Sequence, residues 1–160
     1  MTSNSPLPDL AQVLSPVLQK IPAAHQPLFI ALAERQAAQR YRTWAASADS
    51  EKHKTAFLAC ADREEEIARR VESLYAGADS IQKELLASNP NFANSSQSLF
   101  APLSIDRQLV LQARGERLGA ATWRGFAKRS AEASARDTFL QCAILEEQSA
   151  EFLESIASEC

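Results

Sequence analysis

Glycine, histidine and cysteine are scarce in this chain. Its 160 residues include only four glycines and two histidines, whereas Ala, Leu, Glu, Gln and Arg are abundant. This usage favours a helical protein. The three cysteines are an odd number without paired or zinc-site spacing, so we expect neither a disulfide framework nor a Cys/His zinc site. They suit a reducing compartment, and we predict a cytoplasmic protein.

Positive charge and long apolar runs are lacking as well. The formal net charge of -3 provides no basic footprint, so we expect no nucleic-acid partner. No apolar run approaches the roughly 20 residues that cross a bilayer, so we expect no membrane partner. The opening sequence MTSNSPLPDL has no charged stretch followed by an apolar one, so we expect no secretory signal. No Ser/His/Asp pattern or Gly-rich phosphate loop indicates another chemistry.

One segment of the chain occurs twice, at 33–74 and again at 115–156. The two copies align without a gap, and we call the constant shift between them, for example from Glu34 to Glu116, the repeat offset. Shared apolar spacing would explain some of the identities, but not the paired arginines, cysteines and glutamates. We interpret the match as an internal duplication. The identical pairs are Glu34/Glu116, Arg35/Arg117, Ala38/Ala120, Arg42/Arg124, Ala45/Ala127, Phe57/Phe139, Leu58/Leu140, Cys60/Cys142, Ala61/Ala143, Glu64/Glu146, Glu65/Glu147, Ala68/Ala150, Glu72/Glu154 and Ser73/Ser155.

Each copy is predicted to form two antiparallel amphipathic helices, because its apolar residues recur at helical spacing. Repeat 1 covers about 28–75 with a turn near 47–50, and repeat 2 covers about 105–157 with a turn near 130–134. Four apolar stripes are best buried together in a four-helix bundle. The chain is then a single all-α domain over 1–160, large enough to bury roughly 70% of the surface that its unfolded form exposes.

The segments outside the copies are interpreted as a crossover and an N-terminal helix. Residues 76–104 are too many for a tight loop and, at about 3.3 Å per extended residue, could travel the length of the bundle. The second and third long helices would then run parallel, with a short helix over 80–88. Residues 9–27 carry apolar side chains but are broken by Pro16, Pro22 and Pro27. They predict a short helix that packs on the bundle or on a partner.

One glutamate from each long helix is predicted to point into the core at a common level. Two residues of an antiparallel hairpin are level when the turn lies at their midpoint. The midpoint of Glu34 and Glu64, and that of Glu116 and Glu146, both fall in predicted turns. Four carboxylates in a core of low dielectric repel one another, so they must be protonated, paired with arginine or water, or bound to cations.

These motifs resemble the ferritin-like superfamily, and most closely its rubrerythrin-type members. In that superfamily a glutamate from each of two helices, and a Glu-x-x-His motif from each of the other two, hold a di-iron centre. Here Glu34 with Tyr41 matches the first helix, and ADREEEIA (61–68) matches the second. Glu116 matches the third helix, with Trp123 at the tyrosine position, and AILEEQSA (143–150) matches the fourth.

The resemblance implies a ferritin-like four-helix bundle made of two duplicated hairpins joined by a long crossover. It also implies a metal site made by the inward glutamates, with five further side chains packed beside them. The implied metal ligands are Glu34, Glu64, Glu116 and Glu146. The implied neighbours are Tyr41, Cys60, Cys142, Ile67 and Ser149.

The chain departs from the family pattern at the histidines. Ile67 and Ser149 stand three residues after the core glutamates, where the family has its imidazole ligands. His25 and His53 are the only histidines, and His53 precedes Glu64 by about 16 Å along the helix. Sites made only of oxygen favour hard ions such as Mn, Mg or Ca. We therefore expect either no cofactor or a weakly bound divalent metal, Fe or Mn. The rubredoxin-like module of rubrerythrins, with its CxxC pairs, is absent.

Several other features allow two interpretations. Cys60 and Cys142 are either small buried apolar residues or soft ligands and redox thiols, and Tyr41 is a redox residue only if a metal is present. Cys160 is expected to be exposed, and no function is assigned to it or to the N-terminal segment. The repeated charges form either a solvated face or ion pairs with core or partner glutamates. These charges are Arg35, Arg42, Arg117 and Arg124, with Glu65 and Glu147.

Two functions stay open. The first is a ferritin-like bundle protein with a degenerate di-iron site, not a standard di-iron catalyst, that keeps at most a carboxylate-only metal site and forms a homodimer. The second is a rubrerythrin- or ferritin-type metal-binding oxidoreductase that handles peroxide or iron at a rebuilt Glu-rich di-metal centre. A third, a small-molecule binder in the space left by the histidines, has no motif of its own.

Overall fold

The described residues, 5–158 of this computed structural model, form an entirely helical structure without strands. The all-α fold class is therefore confirmed. A 3-10 turn at Ala23–His25 precedes the second helix. The helices are α1 (Leu10–Gln19), α2 (Gln26–Ala46), α3 (Glu51–Glu72), α4 (Ala78–Ser88), α5 (Phe92–Phe100), α6 (Ile105–Arg129) and α7 (Ala133–Ser158).

Local sequence signals explain where several helices begin. The Asp9 carboxylate accepts two backbone hydrogen bonds at the start of α1. The Ser50 hydroxyl accepts one from the amide of His53, 3.1 Å away, at the start of α3. Both are N-caps of the usual kind. Gly77 has a φ of 70°, which only glycine adopts without strain, and it turns the chain from the end of α3 into α4.

The four long helices pack as two consecutive pairs. Helix α2 lies along α3, α6 lies along α7, and α3 also packs on α7. Ion pairs cross each consecutive pair, and two of them recur in both: Arg35–Glu72 and Arg42–Glu65 in the first, Arg117–Glu154 and Arg124–Glu147 in the second. From the first ion pair to the second, the arginine lies two turns later on its helix and the glutamate two turns earlier on the other helix. The helices of each pair are therefore antiparallel.

Helix α2 also runs antiparallel to α6. The indole Nε1 of Trp44 donates to Gln108 Oε1 at 3.1 Å, and Nε of Arg40 donates to Gln112 Oε1 at 3.1 Å. The partner's residue number rises as that on α2 falls, which is the antiparallel register. Because α3 and α6 are both antiparallel to α2, they run in the same direction, with α4 and α5 in the connection between them.

The repeat offset extends beyond the copies seen in the sequence. Helix α5 begins at Phe92 and α1 begins at Leu10, and these two residues are separated by the same offset as Glu34 and Glu116. Gln26 Nε2 donates to the carbonyls of Leu18 and Ile21. Its counterpart Gln108 donates to the carbonyls at the equivalent positions, Phe100 and Leu103. We call α1–α3 the first unit and α5–α7 the second unit.

Two features of the connecting segments correct the sequence interpretation. Residues 92–100, assigned to the crossover, form α5, the counterpart of α1. Pro16 does not break α1 but lies inside it. The helix continues because Leu14 and Leu18 on its inner side pack against the core, which outweighs one missing backbone hydrogen bond.

Aromatic side chains form matching clusters in the two units. Tyr41, Trp44 and Phe57 contact one another in the first unit. Their counterparts Trp123, Phe126 and Phe139 do the same in the second. None of the helices in the described range has the length and apolarity to cross a membrane.

Candidate carboxylate centre

Three of the four predicted glutamates converge between the helices. Glu34 of α2, Glu64 of α3 and Glu146 of α7 each present an oxygen, and these oxygens all lie within 4.8 Å of one another. Glu64 is fully buried, and Glu146 and Glu34 are 1% and 7% exposed. We call these three residues the carboxylate triad. Within the described part of the chain, no arginine or lysine forms an ion pair with any of them.

Glu64 is the least satisfied member of the triad. Neither of its carboxylate oxygens has a hydrogen-bond donor among residues 5–158. Burial raises the pKa of Glu64 well above its ordinary range, and the negative charges of Glu116 and Glu34 raise it further. Burial also raises the pKa of Glu146 well above that range and raises that of Glu34. A buried group of this kind needs a proton or a cation.

Glu116, the fourth predicted ligand, is held differently. Its Oε1 accepts hydrogen bonds from the Tyr41 hydroxyl at 2.6 Å and from the Gln112 amide at 2.7 Å. Gln112 in turn accepts from Arg40, whose Nη1 donates to the Ser96 hydroxyl at 2.6 Å. Burial lowers the pKa of Arg40, and the charge of Glu116 opposes that effect. The guanidinium is thus a counter-charge to Glu116, linked to it through Gln112.

Helix α6 positions the Glu146 carboxylate. The indole Nε1 of Trp123 donates to Glu146 Oε1 at 3.0 Å, and it lies close enough to Glu34 to oppose the rise in that group's pKa. A Cβ atom at Gly119 would overlap Glu146 Oε1 and lie 2.8 Å from its Cδ. Glycine at this position therefore leaves the space that the carboxylate occupies.

The two positions at which the family pattern has histidine hold no free ligand. Ile67 is fully buried in an apolar cluster. Ser149 is also fully buried, and its hydroxyl accepts a hydrogen bond from Arg63 Nε at 2.9 Å. The same guanidinium donates to the sulfur of Cys60 at 3.1 Å. A positive charge on α3 thus lies beside Ser149 of α7, where it disfavours binding of a cation.

The cysteines beside the centre are buried free thiols. Burial raises the pKa of Cys60, and it raises that of Cys142 to about 12. Both are therefore protonated at neutral pH and behave as small apolar residues rather than as thiolate ligands. Burial raises the pKa of Tyr41 well above its ordinary range, so this phenol keeps the proton that it donates to Glu116. Cys160 lies outside the described residues.

The duplicated charges outside the core are paired rather than merely solvated. Arg35 and Arg42 both contact Glu65, and Arg124 contacts its counterpart Glu147. All of these side chains are partly exposed. They join helices within a unit, and none of their ion pairs in the described range involves the triad, so helix packing accounts for the repeated arginines.

A cavity of about 420 Å³ opens onto the centre. It lies between α1, α2, α5 and α6, and its walls are mostly apolar. Glu34, Glu116 and Glu146 line it, whereas Glu64 does not. The triad can therefore be reached from the cavity through two of its members, with Glu64 behind them.

Sequence reasoning missed Arg40, Arg63, Gln112 and Gly119. They could have been found as positions near the matching glutamates at which the two units carry different residues. The pairs that differ are Ile30/Gln112, Ala37/Gly119, Arg40/Thr122, Arg63/Leu145 and Ile67/Ser149. Each of these pairs includes a residue at the centre or in the cavity wall, so the mismatches indicated where the two halves of the centre differ.

The donor set fits one oxygen-liganded cation better than a di-iron centre. Three carboxylate oxygens within 4.8 Å of one another can share an ion, because oxygen ligands lie about 2.0–2.6 Å from Mg or Ca. The implied imidazole ligands are replaced by a buried alkyl group and a hydroxyl bound to arginine. Comparisons of the chain with protein-family models, with curated proteins and with solved structures found no match. The geometry therefore carries the functional argument.

Proposed function

We propose that this chain is a ferritin-like four-helix bundle, formed by an internal duplication, whose carboxylate triad binds a single divalent cation. Glu34, Glu64 and Glu146 supply the ligands, and Mn²⁺ or Fe²⁺ is the expected ion. The protein is not a standard di-iron catalyst. The observation that carries the proposal is the fully buried Glu64 carboxylate without a donor, next to two further carboxylates.

The architecture supports the proposal in its connectivity. Two antiparallel pairs of long helices are related by the repeat offset. The long connection between them lets α3 and α6 run parallel, whereas a short turn would make them antiparallel. Ligand residues project inward from three of these helices. Sites of this kind, built from side chains on facing helices, are typical of the ferritin-like proteins.

Electrostatics supports one cation rather than two. Glu116 already accepts two hydrogen bonds and has Arg40 as its counter-charge through Gln112. On the other side, Arg63 occupies the neighbourhood of Ser149. The triad is the part of the centre that lacks positive charge, so a single divalent ion would compensate it.

The test is a metal titration of the chelator-treated protein. We expect one Mn²⁺ per chain, measured by elemental analysis after gel filtration and by the loss of the free-ion electron paramagnetic resonance signal. Glu64→Gln should lose the ion because an amide supplies no charge. Glu65→Gln is the matched control, since it makes the same change one residue away on the exposed side of α3.

Two results would contradict the proposal. One is the absence of stoichiometric binding and of any thermal shift with Mn²⁺, Fe²⁺, Mg²⁺ or Ca²⁺. The other is equal loss of metal in Glu64→Gln and Glu65→Gln, which would place the ion at the surface. The predicted homodimer remains a prediction, which the gel-filtration step also tests with light scattering.

A further inference from the structure

The cavity above the triad has the size and lining of a small-molecule site. Its volume of about 420 Å³ falls within the range of ligand pockets, roughly 300–1,000 Å³. Since a water molecule occupies about 30 Å³ of liquid, there is room for roughly a dozen non-hydrogen atoms. Apolar side chains from four helices form much of the wall, among them Leu10, Leu14, Phe29, Phe92, Leu99 and Leu118.

The polar groups at one end of the cavity select the charge of a ligand. Glu34, Glu116 and Glu146 line this end. A positively charged head group would favour their ionised form, which only accepts hydrogen bonds. Arg40 also lines the cavity, but its Nε and Nη1 donate to Gln112 and Ser96, and its guanidinium lies 4.4 Å from the centre of the Phe100 ring. A head group that meets Glu34 and Glu146 must therefore donate hydrogen bonds, and positive charge favours it.

We propose that the cavity binds an unbranched primary alkylamine, with its ammonium group at Glu34 and Glu146 and its chain along the apolar walls. An ammonium group offers three donors and no acceptor, which complements carboxylates that have no basic partner in the described part of the chain. An anionic head would instead meet three carboxylates and an arginine that already has partners.

This inference does not require the metal proposal, although the two share Glu34 and Glu146. A divalent ion on the triad and an ammonium group at the same oxygens exclude each other. Each can therefore be measured in the absence of the other. Only the amine needs the apolar walls, so substitutions in these walls test amine binding independently of metal binding.

The experiment is calorimetric titration of the chelator-treated full chain near neutral pH with octylamine, octanol and octanoate. A primary amine is protonated there, as lysine is. We expect one octylamine per chain, bound at least about tenfold more tightly than octanol, or about 1.4 kcal/mol, with octanoate weaker still. Because Trp123 donates to Glu146, bound octylamine should also change the tryptophan fluorescence.

Substitutions test the contribution of the ligand's ammonium group separately from that of its alkyl chain. Ala33→Phe and Leu118→Trp, at two different cavity walls, should abolish octylamine binding by filling the space. Leu58→Phe on the exposed side of α3 is the control for added bulk. Glu34→Gln should weaken octylamine at least about tenfold and leave octanol unchanged, whereas Glu65→Gln should change neither. Circular dichroism melting identifies any variant that does not fold.

Three results would overturn the inference. These are no octylamine binding, octanol or octanoate binding as tightly as octylamine, and octylamine binding that survives both filling variants. The metal proposal fails separately. A protein that binds octylamine but no divalent ion contradicts that proposal alone, and one that binds Mn²⁺ but no octylamine contradicts this one alone.

Discussion

The two units follow the same plan on the outside and differ at the centre. Their outer ion pairs, aromatic clusters and glutamine contacts recur at the repeat offset. The equivalent glutamates do not repeat their partners. Glu116 has Gln112 one turn before it, whereas Glu34 has Ile30 at that position. Contacts that hold helices together are thus kept in both units, while the polar groups around the carboxylates are not.

This difference divides the centre into a satisfied half and an unsatisfied half. On one side Tyr41, Gln112 and Arg40 surround Glu116 with donors and positive charge. On the other side Glu64 is fully buried without a donor among the described residues. The first half resembles an ordinary buried polar network, and the second half is the one that favours binding a cation.

The largest expected effect is on the free energy of unfolding, which should change in opposite directions when a carboxylate is removed from one half or from the other. Glu116→Met removes the acceptor of Tyr41 and Gln112. It should lower the free energy of unfolding by about 2–6 kcal/mol, because each of the two buried donors left unsatisfied costs about 1–3 kcal/mol. Glu64→Met removes an unsatisfied group of similar size, and at neutral pH it should raise that free energy by about 1–3 kcal/mol. Urea denaturation in the presence of a chelator measures both.

Changes of the same sign in both variants would contradict the division into halves. The variants Glu65→Met and Glu147→Met are controls on the exposed sides of α3 and α7. Their changes should be small, since surface substitutions usually alter stability by less than about 0.5 kcal/mol.

The second prediction concerns the pH dependence of the metal-free protein. The pKa of Glu64 and that of Glu146 are raised well above 4.5 in the folded state, so the folded protein keeps protons that the unfolded chain releases. The contribution of these two groups to the free energy of unfolding should therefore be highest below about pH 4.5 and should fall as the pH rises above that value. The slope is at most about 1.4 kcal/mol per pH unit for each proton retained.

Chemical denaturation across the acid and neutral range checks this slope. Glu64→Gln should flatten it, and Glu65→Gln should leave it as in the parent protein. A metal-free protein whose stability rises through the whole range, in parallel with Glu64→Gln, would show that the triad does not retain its protons.

The smallest expected effect is at the outer ion pairs, where the units are alike. Arg35 contacts both Glu65 and Glu72, whereas Arg117 forms its ion pair with Glu154. All of these groups are partly exposed, so Arg35→Ala and Arg117→Ala should each cost about 0–1 kcal/mol, with Arg35 the larger. Both costs should shrink in high salt. Thermal unfolding at two salt concentrations measures them, and a cost that salt leaves unchanged would show that packing of the arginine stems, not charge, is responsible.

Much of the helical structure could be predicted because it depends on local sequence. Apolar residues at helical spacing, the Ser50 cap and the turns on either side of α3 are readable from a few neighbouring residues. Helix α5 was missed because its sequence barely matches that of α1 and its residues looked like a polar linker. Its equivalence became visible only through the contacts of Gln26 and Gln108.

The candidate site was predictable in its residues but not in its arrangement. Spacing alone brought Glu34, Glu64, Glu116 and Glu146 to one level, and the structure brings three of them within reach of one ion. The hydrogen bonds and positive charge around Glu116 depend on Gln112 and Arg40. These lie on different helices and are ordinary residues in sequence.

By itself, the sequence determined the helices, their two matching copies and the glutamates that point inward, because periodicity and spacing act within a helix or across one turn. Tertiary structure decided which carboxylates receive donors, where Arg63 and Arg40 place their charge, and that a cavity reaches the triad. These properties depend on atoms brought together from helices far apart in the chain. The pKa and partners of a buried carboxylate are set by those atoms, not by the residues beside it in sequence.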